Sequence, residues 1–130
     1  MMWYIASRTR HKNYVRKLVE ILKNGGHDVV YDWTELEDFK ASGEHDLYRE
    51  EAMKIANSLE NSDVFVLISD EEGTDMFIEL GIVIANSMKN NKPRIYVIGE
   101  HNKRSLLHFH PFIIHLDNIE QVFRREGVRF

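Results

Sequence analysis

The stretch DVFVLISDEEGTDMFIELGIVIANSMKNNKPRIYVIG, residues 63–99, decides the fold of this chain. It begins with DVFVLIS at 63–69, an apolar run without polar alternation, which is typical of a strand buried on both faces. The acidic loop DEEGT follows, and the segment 73–93 then predicts a helix before RIYVIG at 94–99 predicts another strand. A strand, a helix and a strand in this order indicate parallel pairing through a right-handed crossover.

The same alternation of strands and helices extends to both ends of the chain. Further strands are predicted at MWYIA (2–6), VVYDW (29–33) and FIIHL (112–116). Further helices are predicted from residue 13 to the Gly25-Gly26 pair, at 47–59 and at 118–125. These elements predict one domain over residues 1–130, an α/β three-layer sandwich with a flavodoxin- or Rossmann-like sheet of five parallel strands.

Composition excludes several classes of protein. The chain has 130 residues, 43% of them hydrophobic, which suits one compact core. A net charge of -4 with dispersed basic residues argues against a nucleic-acid polymer or an anionic membrane as partner. No apolar run reaches the roughly 20 residues of a membrane span, and the N-terminal MMWYIA lacks the basic flank of a signal peptide. There is no cysteine, so we expect a reducing, cytoplasmic location.

The predicted architecture indicates where a ligand binds. In such sheets, ligands lie beyond the carboxyl ends of the strands, near the point where strand order reverses. This rule selects four loops, namely SRTRH (7–11), DWTELED (32–38), SDEEGT (69–74) and GEHNKRS (99–105).

Glu79 is a charge inside an otherwise apolar helical segment. If Thr74 or Asp75 caps that helix, Glu79 lies within about its first turn, where the helix dipole favours the ionised form by about 0.3 to 1 kcal/mol. An ionised carboxylate facing the loops is what a nucleophile at a sugar carbon requires. The alternative is an ordinary helix-start glutamate that complements the dipole.

Five segments together give the chain a resemblance to a known family. They are YIAS (4–7), GGHDVVYDW (25–33), NSDVFVLIS (61–69), GTDMFIELGIVIA (73–85) and KPRIYVIGEHN (92–102). In this order and spacing they resemble the nucleoside 2-deoxyribosyltransferase superfamily. That superfamily includes transferases that exchange nucleobases and hydrolases that cleave deoxynucleoside 5′-monophosphates. The resemblance implies one such domain, acting on a nucleoside or nucleotide.

The resemblance implies a catalytic role for two residues. Glu79 is the expected nucleophile, attacking C1′ of the sugar to form a covalent glycosyl-enzyme that passes to water or to an acceptor base. Tyr4, at the end of the first strand, is expected to orient it; otherwise Tyr4 is an ordinary strand aromatic.

Other loop residues are expected to contact the substrate. The resemblance implies that Ser7, Arg8 and Thr9, with Arg10, hold a 5′-phosphate, although basic residues before a helix are also common surface groups. Trp33 is expected to stack on the base, or else to be a strand-end rim residue. The remaining predicted substrate contacts are Asp70, Gly73 and Thr74.

The chain departs from the family pattern at two positions. Family members carry an aspartate eight residues before the one that opens the third strand, and here that position is Ile55. The transferases carry another aspartate six residues before the nucleophile, and here that position is Gly73. Glu51 or the acidic run 70–72 is available as a substitute. The alternative function is a nucleotide-binding or sensing module that retains the pocket without the chemistry.

No cofactor or metal is expected, because His108, His110 and His115 have no carboxylate clustered with them in the sequence. The resemblance also implies that the segment after the fourth strand, with Asn102, Ser105 and His108, reaches a neighbouring subunit. We therefore expect a homodimer or a higher homo-oligomer.

Overall fold

The computed structural model of the chain describes residues 1–36 and 45–130, so the end of the predicted loop 32–38 lies outside the described residues. Five strands in the described part form one parallel sheet with the order β2-β1-β3-β4-β5. Their bounds are β1 Met2–Ala6, β2 Asp28–Val29, β3 Val64–Ile68, β4 Arg94–Ile98 and β5 Ile113–Leu116.

Four α-helices in the described part connect and follow these strands. They are α1 Lys12–Asn24, α2 His45–Glu60, α3 Asp75–Asn90 and α4 Ile119–Glu126. The described residues also form short 3-10 turns at Thr9–His11, Trp33–Glu35 and Leu106–Phe109. The predicted fold class is confirmed, including the parallel sheet with helices on both faces.

Each strand sends alternate side chains to opposite faces of the sheet, because the side-chain period of a strand is two residues. In β1, Trp3 and Ile5 join a buried cluster with α1 and α4, whereas Tyr4 and Ala6 join a second cluster with α2 and α3. The helices bury apolar stripes against the same faces. Tyr4 and the helix that carries Glu79 therefore share one side of the sheet.

The second strand is shorter than the predicted segment 29–33. Its ladder ends at Val29, and Trp33 begins a 3-10 turn instead. The side chain of Asp32 accepts hydrogen bonds from the Thr34 amide at 3.0 Å and from the Thr34 hydroxyl at 2.5 Å. These local bonds turn the backbone away from the sheet, as aspartate side chains often do after strands.

In the sheet, β1 lies between β2 and β3. The chain continues from β1 to β2 on one side and from β3 to β4 on the other, so the order of strands reverses between β1 and β3. The loops that follow these two strands begin at Ser7 and Ser69 and meet at the carboxyl edge. This is the crevice in which doubly wound folds bind ligands.

The loop between β3 and α3 depends on a glycine. Gly73 has φ +139°, a conformation that side-chain-bearing residues rarely adopt. A Cβ atom at this position would lie 2.5 Å from Cε of Met76, a buried residue of α3. The position at which the resemblance to the transferases leads us to expect an aspartate is therefore shaped here for a residue without a side chain.

No helix in residues 1–36 and 45–130 is long and apolar enough to cross a membrane.

Candidate active site

Glu79 lies further into its helix than the sequence indicates. Thr74 is the N-cap of α3, without a side-chain capping bond, and Asp75 is the first helical residue. Glu79 is therefore the fifth residue of the helix and belongs to its second turn. Because the dipole effect falls off within the first turn, it supplies little stabilisation to a charge at this position.

Burial dominates the electrostatics of Glu79. Its Oε2 atom is buried and has no hydrogen-bond partner. Burial raises the pKa of Glu79 from 4.5 to about 7; a hydrogen bond from Tyr4 opposes this rise, and the nearby Asp75 charge adds to it. The expectation of a stably ionised carboxylate is therefore wrong for the free protein. At neutral pH Glu79 is divided between its protonated and ionised forms.

Tyr4 supplies the donor beside this carboxylate. Its side chain is buried, and burial followed by the Glu79 charge raises its pKa well above the ordinary range. Tyr4 therefore stays protonated and donates to Glu79. The predicted proximity of the two residues agrees with this geometry, while the catalytic role stays a prediction.

A second tyrosine extends the site, and sequence reasoning missed it. The Tyr31 ring stacks on Tyr4 with centroids 6.4 Å apart and planes within 10°. Its hydroxyl donates to Oε2 of Glu51 at 2.5 Å. Burial, then this bond, raise the Tyr31 pKa, whereas the bond from Tyr31 lowers the Glu51 pKa. The available signal was position alone, since Tyr31 follows a strand adjacent to β1.

Ile55 occupies the place of the missing aspartate and packs against the cluster beneath α2 and α3. It supplies no proton donor. Glu51 lies four residues earlier in α2, which puts it on the same helical face one turn nearer the carboxyl edge. Of the substitutes suggested by the sequence, Glu51 is thus the one that is hydrogen-bonded to Tyr31, whose ring stacks on Tyr4.

Asp70 has a different environment. Its side chain is only 4% exposed and contacts Arg10 at 2.7 Å, His11 at 3.1 Å and Arg8 at 3.4 Å. Burial opposes its charge, but bonds from His11, the Glu72 amide and Arg10 outweigh that effect and hold the Asp70 pKa well below its usual range. Asp70 is consequently ionised at neutral pH and ties the loop after β1 to the end of β3.

The predicted phosphate contacts lie at this same edge. Ser7 is half-buried and its hydroxyl donates to the Arg8 carbonyl at 3.0 Å, while Thr9 is exposed at the start of a 3-10 turn. Arg8 also pairs with exposed Glu72 at 3.2 Å. Arg8 and Arg10 are therefore held by carboxylates but retain further N–H donors beyond those used in these ion pairs. Gly73 and Thr74 complete the edge at the start of α3.

Trp33 packs on the other side of the sheet. It is partly buried against the cluster under α1 and α4, and its indole N–H donates to the Ile5 carbonyl at 2.7 Å. The indole N–H of Trp33 therefore already has a backbone partner in β1. Stacking of Trp33 on a base stays a prediction.

The three histidines of the segment 108–115 each have a protein partner. His108 is fully buried, and its ring lies 3.2 Å from the Ser69 hydroxyl and 2.5 Å from that of Ser105. His115 bonds the His108 carbonyl at 2.6 Å, and His110 accepts from a backbone amide. Among the described residues, no group of three or more His, Asp or Glu side chains is arranged to hold a metal ion.

The segment expected to reach another subunit makes contacts within its own chain at three positions. His108 is buried, Ser105 bonds it, and Asn102 donates to the Leu116 carbonyl at 3.0 Å. The exposed residues of this region are the polar or charged Glu100, Lys103, Arg104 and Ser105 and three large apolar side chains. The apolar side chains are Leu106, Leu107 and Phe109, at 86%, 60% and 58% exposure.

A groove lies beside these apolar residues, with a volume of about 270 Å³. Its walls come from α3 and from the segment before β5, and they are Phe77, Leu80, Gly81, Ile84, Arg104, Ser105 and Leu107. The lining includes neither Tyr4 nor Glu79, so this groove is separate from the carboxylate site.

The fold and site together define an α/β sandwich protein with a buried carboxylate, Glu79, that accepts a hydrogen bond from Tyr4 at the carboxyl edge of its parallel sheet. A solved structure with this architecture is the CMP N-glycosidase BcmB of Clostridium botulinum, with a TM-score of 0.62, 12% identity and 98% of each chain covered. The predicted resemblance is thereby confirmed at the level of the fold. No family model and no curated protein sequence matches the chain.

Proposed function

We propose that this chain cleaves or exchanges the N-glycosidic bond of a nucleoside or nucleoside 5′-monophosphate, with Glu79 as the nucleophile. The observation that carries this proposal is the buried, unpartnered Oε2 of Glu79 beside the Tyr4 donor, at the edge where this fold binds ligands. Support also comes from the fold, which is shared with an N-glycosidase of nucleotides.

In the proposed reaction, the ionised form of Glu79 attacks C1′ and forms a glycosyl ester. The C1′–N bond breaks, its electron pair goes to the departing base, and the base takes a proton from solvent water. Water or an acceptor base then releases the sugar from Glu79. Tyr4 keeps the carboxylate oriented through its hydroxyl.

We assign a 5′-phosphate to the loop after β1, with Ser7, Arg8 and Thr9 as its contacts. Asp70 supports this assignment because it holds Arg8 and Arg10 at the sheet edge without occupying all their donors. Gly73 and Thr74 line the approach to Glu79, and Trp33 stays the proposed base contact.

A homodimer is part of the proposal. The apolar side chains Leu106, Leu107 and Phe109 form an exposed surface next to the groove on α3, and such surfaces commonly mark protein contacts. Sedimentation velocity of the parent chain and of Leu106→Lys tests this expectation. We predict a dimer for the parent and a monomer for the variant. The cysteine-free composition supports the cytoplasmic location, which stays a prediction.

The test of function is release of free base. The chain is incubated with ribo- and deoxyribonucleosides and their 5′-monophosphates, including CMP, and products are separated by chromatography. We expect release from at least one 5′-monophosphate. Glu79→Gln should abolish it, whereas the exposed Glu20→Gln control should retain it.

A second candidate function is a nucleotide-binding or sensing module without chemistry. Ile55 favours it, because an apolar side chain packs where relatives carry an acid. Measurable nucleotide binding with no base release from any member of the panel would select this function over the enzyme.

A further inference from the structure

Two glutamates of this site are each held by a tyrosine, and the tyrosines stack on each other. Tyr4 of β1 donates to Glu79, and Tyr31 donates to Glu51 at 2.5 Å. The two rings are nearly parallel, with centroids 6.4 Å apart. The Glu79 charge also contributes to the raised pKa of Tyr31. The four side chains therefore form one cluster, although they come from β1, the β2 loop, α2 and α3.

Glu51 is firmly placed in this cluster. Its side chain is 20% exposed, and its second oxygen lies 3.3 Å from the Lys54 ammonium. Ile55, one turn later, packs into the core on the same helical face. Glu51 thus reaches the carboxyl edge from α2 while the helix beneath it stays anchored.

The other nearby carboxylates are engaged elsewhere or exposed. Asp70 is paired with Arg8, Arg10 and His11. Glu72 is 70% exposed and pairs with Arg8. Asp75, whose charge adds to the raised Glu79 pKa, is exposed in the first turn of α3. Of these carboxylates, Glu51 is the one that a hydrogen bond joins to the stacked tyrosine pair.

We propose that Glu51, positioned by Tyr31, is the general base that activates water to hydrolyse the glycosyl ester on Glu79. This inference rests on the proposed function. A water proton passes to Glu51 while the water oxygen bonds to C1′. The bond between C1′ and Glu79 breaks, and its electron pair returns to the Glu79 carboxylate. The proton on Glu51 then leaves to solvent.

A base role suits the contacts of Glu51 better than an acid role. The Tyr31 hydroxyl and the Lys54 ammonium both stabilise the negative charge, so the Glu51 pKa lies below its ordinary value. An ionised carboxylate accepts a proton but has none to donate to a departing base. The chain is therefore expected to use water as acceptor, making it a hydrolase.

The test follows base release in the first turnover and at steady state, using the 5′-monophosphate that the parent chain cleaves fastest. Glu51→Gln should release about one equivalent of base rapidly and then turn over about 100-fold more slowly, the typical contribution of a general base. Tyr31→Phe, which keeps the ring, should retain the rapid phase and slow the steady rate. The matched control is Glu50→Gln, an exposed neighbour on α2.

Added azide distinguishes a chemical role from a structural one, because azide needs no base to attack C1′. It should restore turnover of Glu51→Gln and yield a glycosyl azide. An unchanged steady rate, or loss of the rapid phase together with the steady rate, would overturn the assignment of Glu51. No base release by the parent chain would instead refute the proposed function, and this inference with it.

Discussion

Replacing Glu79 by glutamine should stabilise the protein at alkaline pH, since the parent chain must bury a charge there. The folded protein raises the Glu79 pKa from 4.5 to about 7. The stability that protonated Glu79 contributes is fully present below pH 4.5 and is lost as the pH rises through 7. At about 1.4 kcal/mol for each pH unit between these values, the loss is about 3 kcal/mol.

The assay is equilibrium unfolding in urea, followed by the fluorescence of Trp3 and Trp33, which both pack into the core. The free energy of unfolding of Glu79→Gln minus that of the parent is measured from about pH 4.5 to about pH 8.5. We expect this difference to increase by about 3 kcal/mol across the range. Comparing the change with pH removes any constant effect of the amide group itself.

The control for this measurement is Glu20→Gln, which removes an exposed carboxylate from α1. Its difference from the parent should stay nearly constant with pH. If Glu79→Gln behaves in the same way, burial does not control the protonation of Glu79, and the electrostatic description of the site is incorrect.

Three further perturbations test the parts of the site separately. Tyr4→Phe removes the donor that lowers the Glu79 pKa. The acid limb of kcat/KM for base release, expected near pH 7 in the parent, should therefore move to higher pH. An unchanged midpoint would contradict the contact between Tyr4 and Glu79. Asp70→Asn removes the carboxylate that holds Arg8 and Arg10 in position at the sheet edge. The preference in kcat/KM for a 5′-monophosphate over its nucleoside should therefore fall by about tenfold. An unchanged preference would refute the phosphate assignment. Gly73→Ala should lower the free energy of unfolding by about 1 to 3 kcal/mol, because φ is +139° and Met76 occupies the Cβ position. Gly81→Ala, with open space on a helix, should not destabilise, and equal effects of the two changes would contradict this explanation.

The sequence predicts the order of elements well because the apolar runs are long and uninterrupted. The run at 63–69 contains β3, and the segment from Gly73 contains α3, since buried parallel strands and their crossover helices have distinct lengths and spacings. The end of β2 is less predictable. Val30 and Tyr31 continue the apolar pattern, but the bonds between Asp32 and Thr34 turn the chain.

The site is only partly readable from the sequence. Glu79 is conspicuous as a charge in an apolar helix, yet its protonation depends on burial that only tertiary packing determines. The pairing of Tyr31 with Glu51 joins residues 20 positions apart, and the ion pairs of Asp70 with Arg8 and Arg10 span about 60. Neither arrangement follows from local spacing, so both required the folded structure.

The covalent step at Glu79 is the central claim, and peptide mass spectrometry of acid-quenched protein tests it most directly. The chain is mixed with the 5′-monophosphate that it cleaves fastest, quenched during the rapid phase of base release and digested. We predict a sugar phosphate attached to the peptide that contains Glu79, and no such adduct in Glu79→Gln. Base release by Glu79→Gln at the parent rate, with no adduct on the parent peptide, would contradict the account.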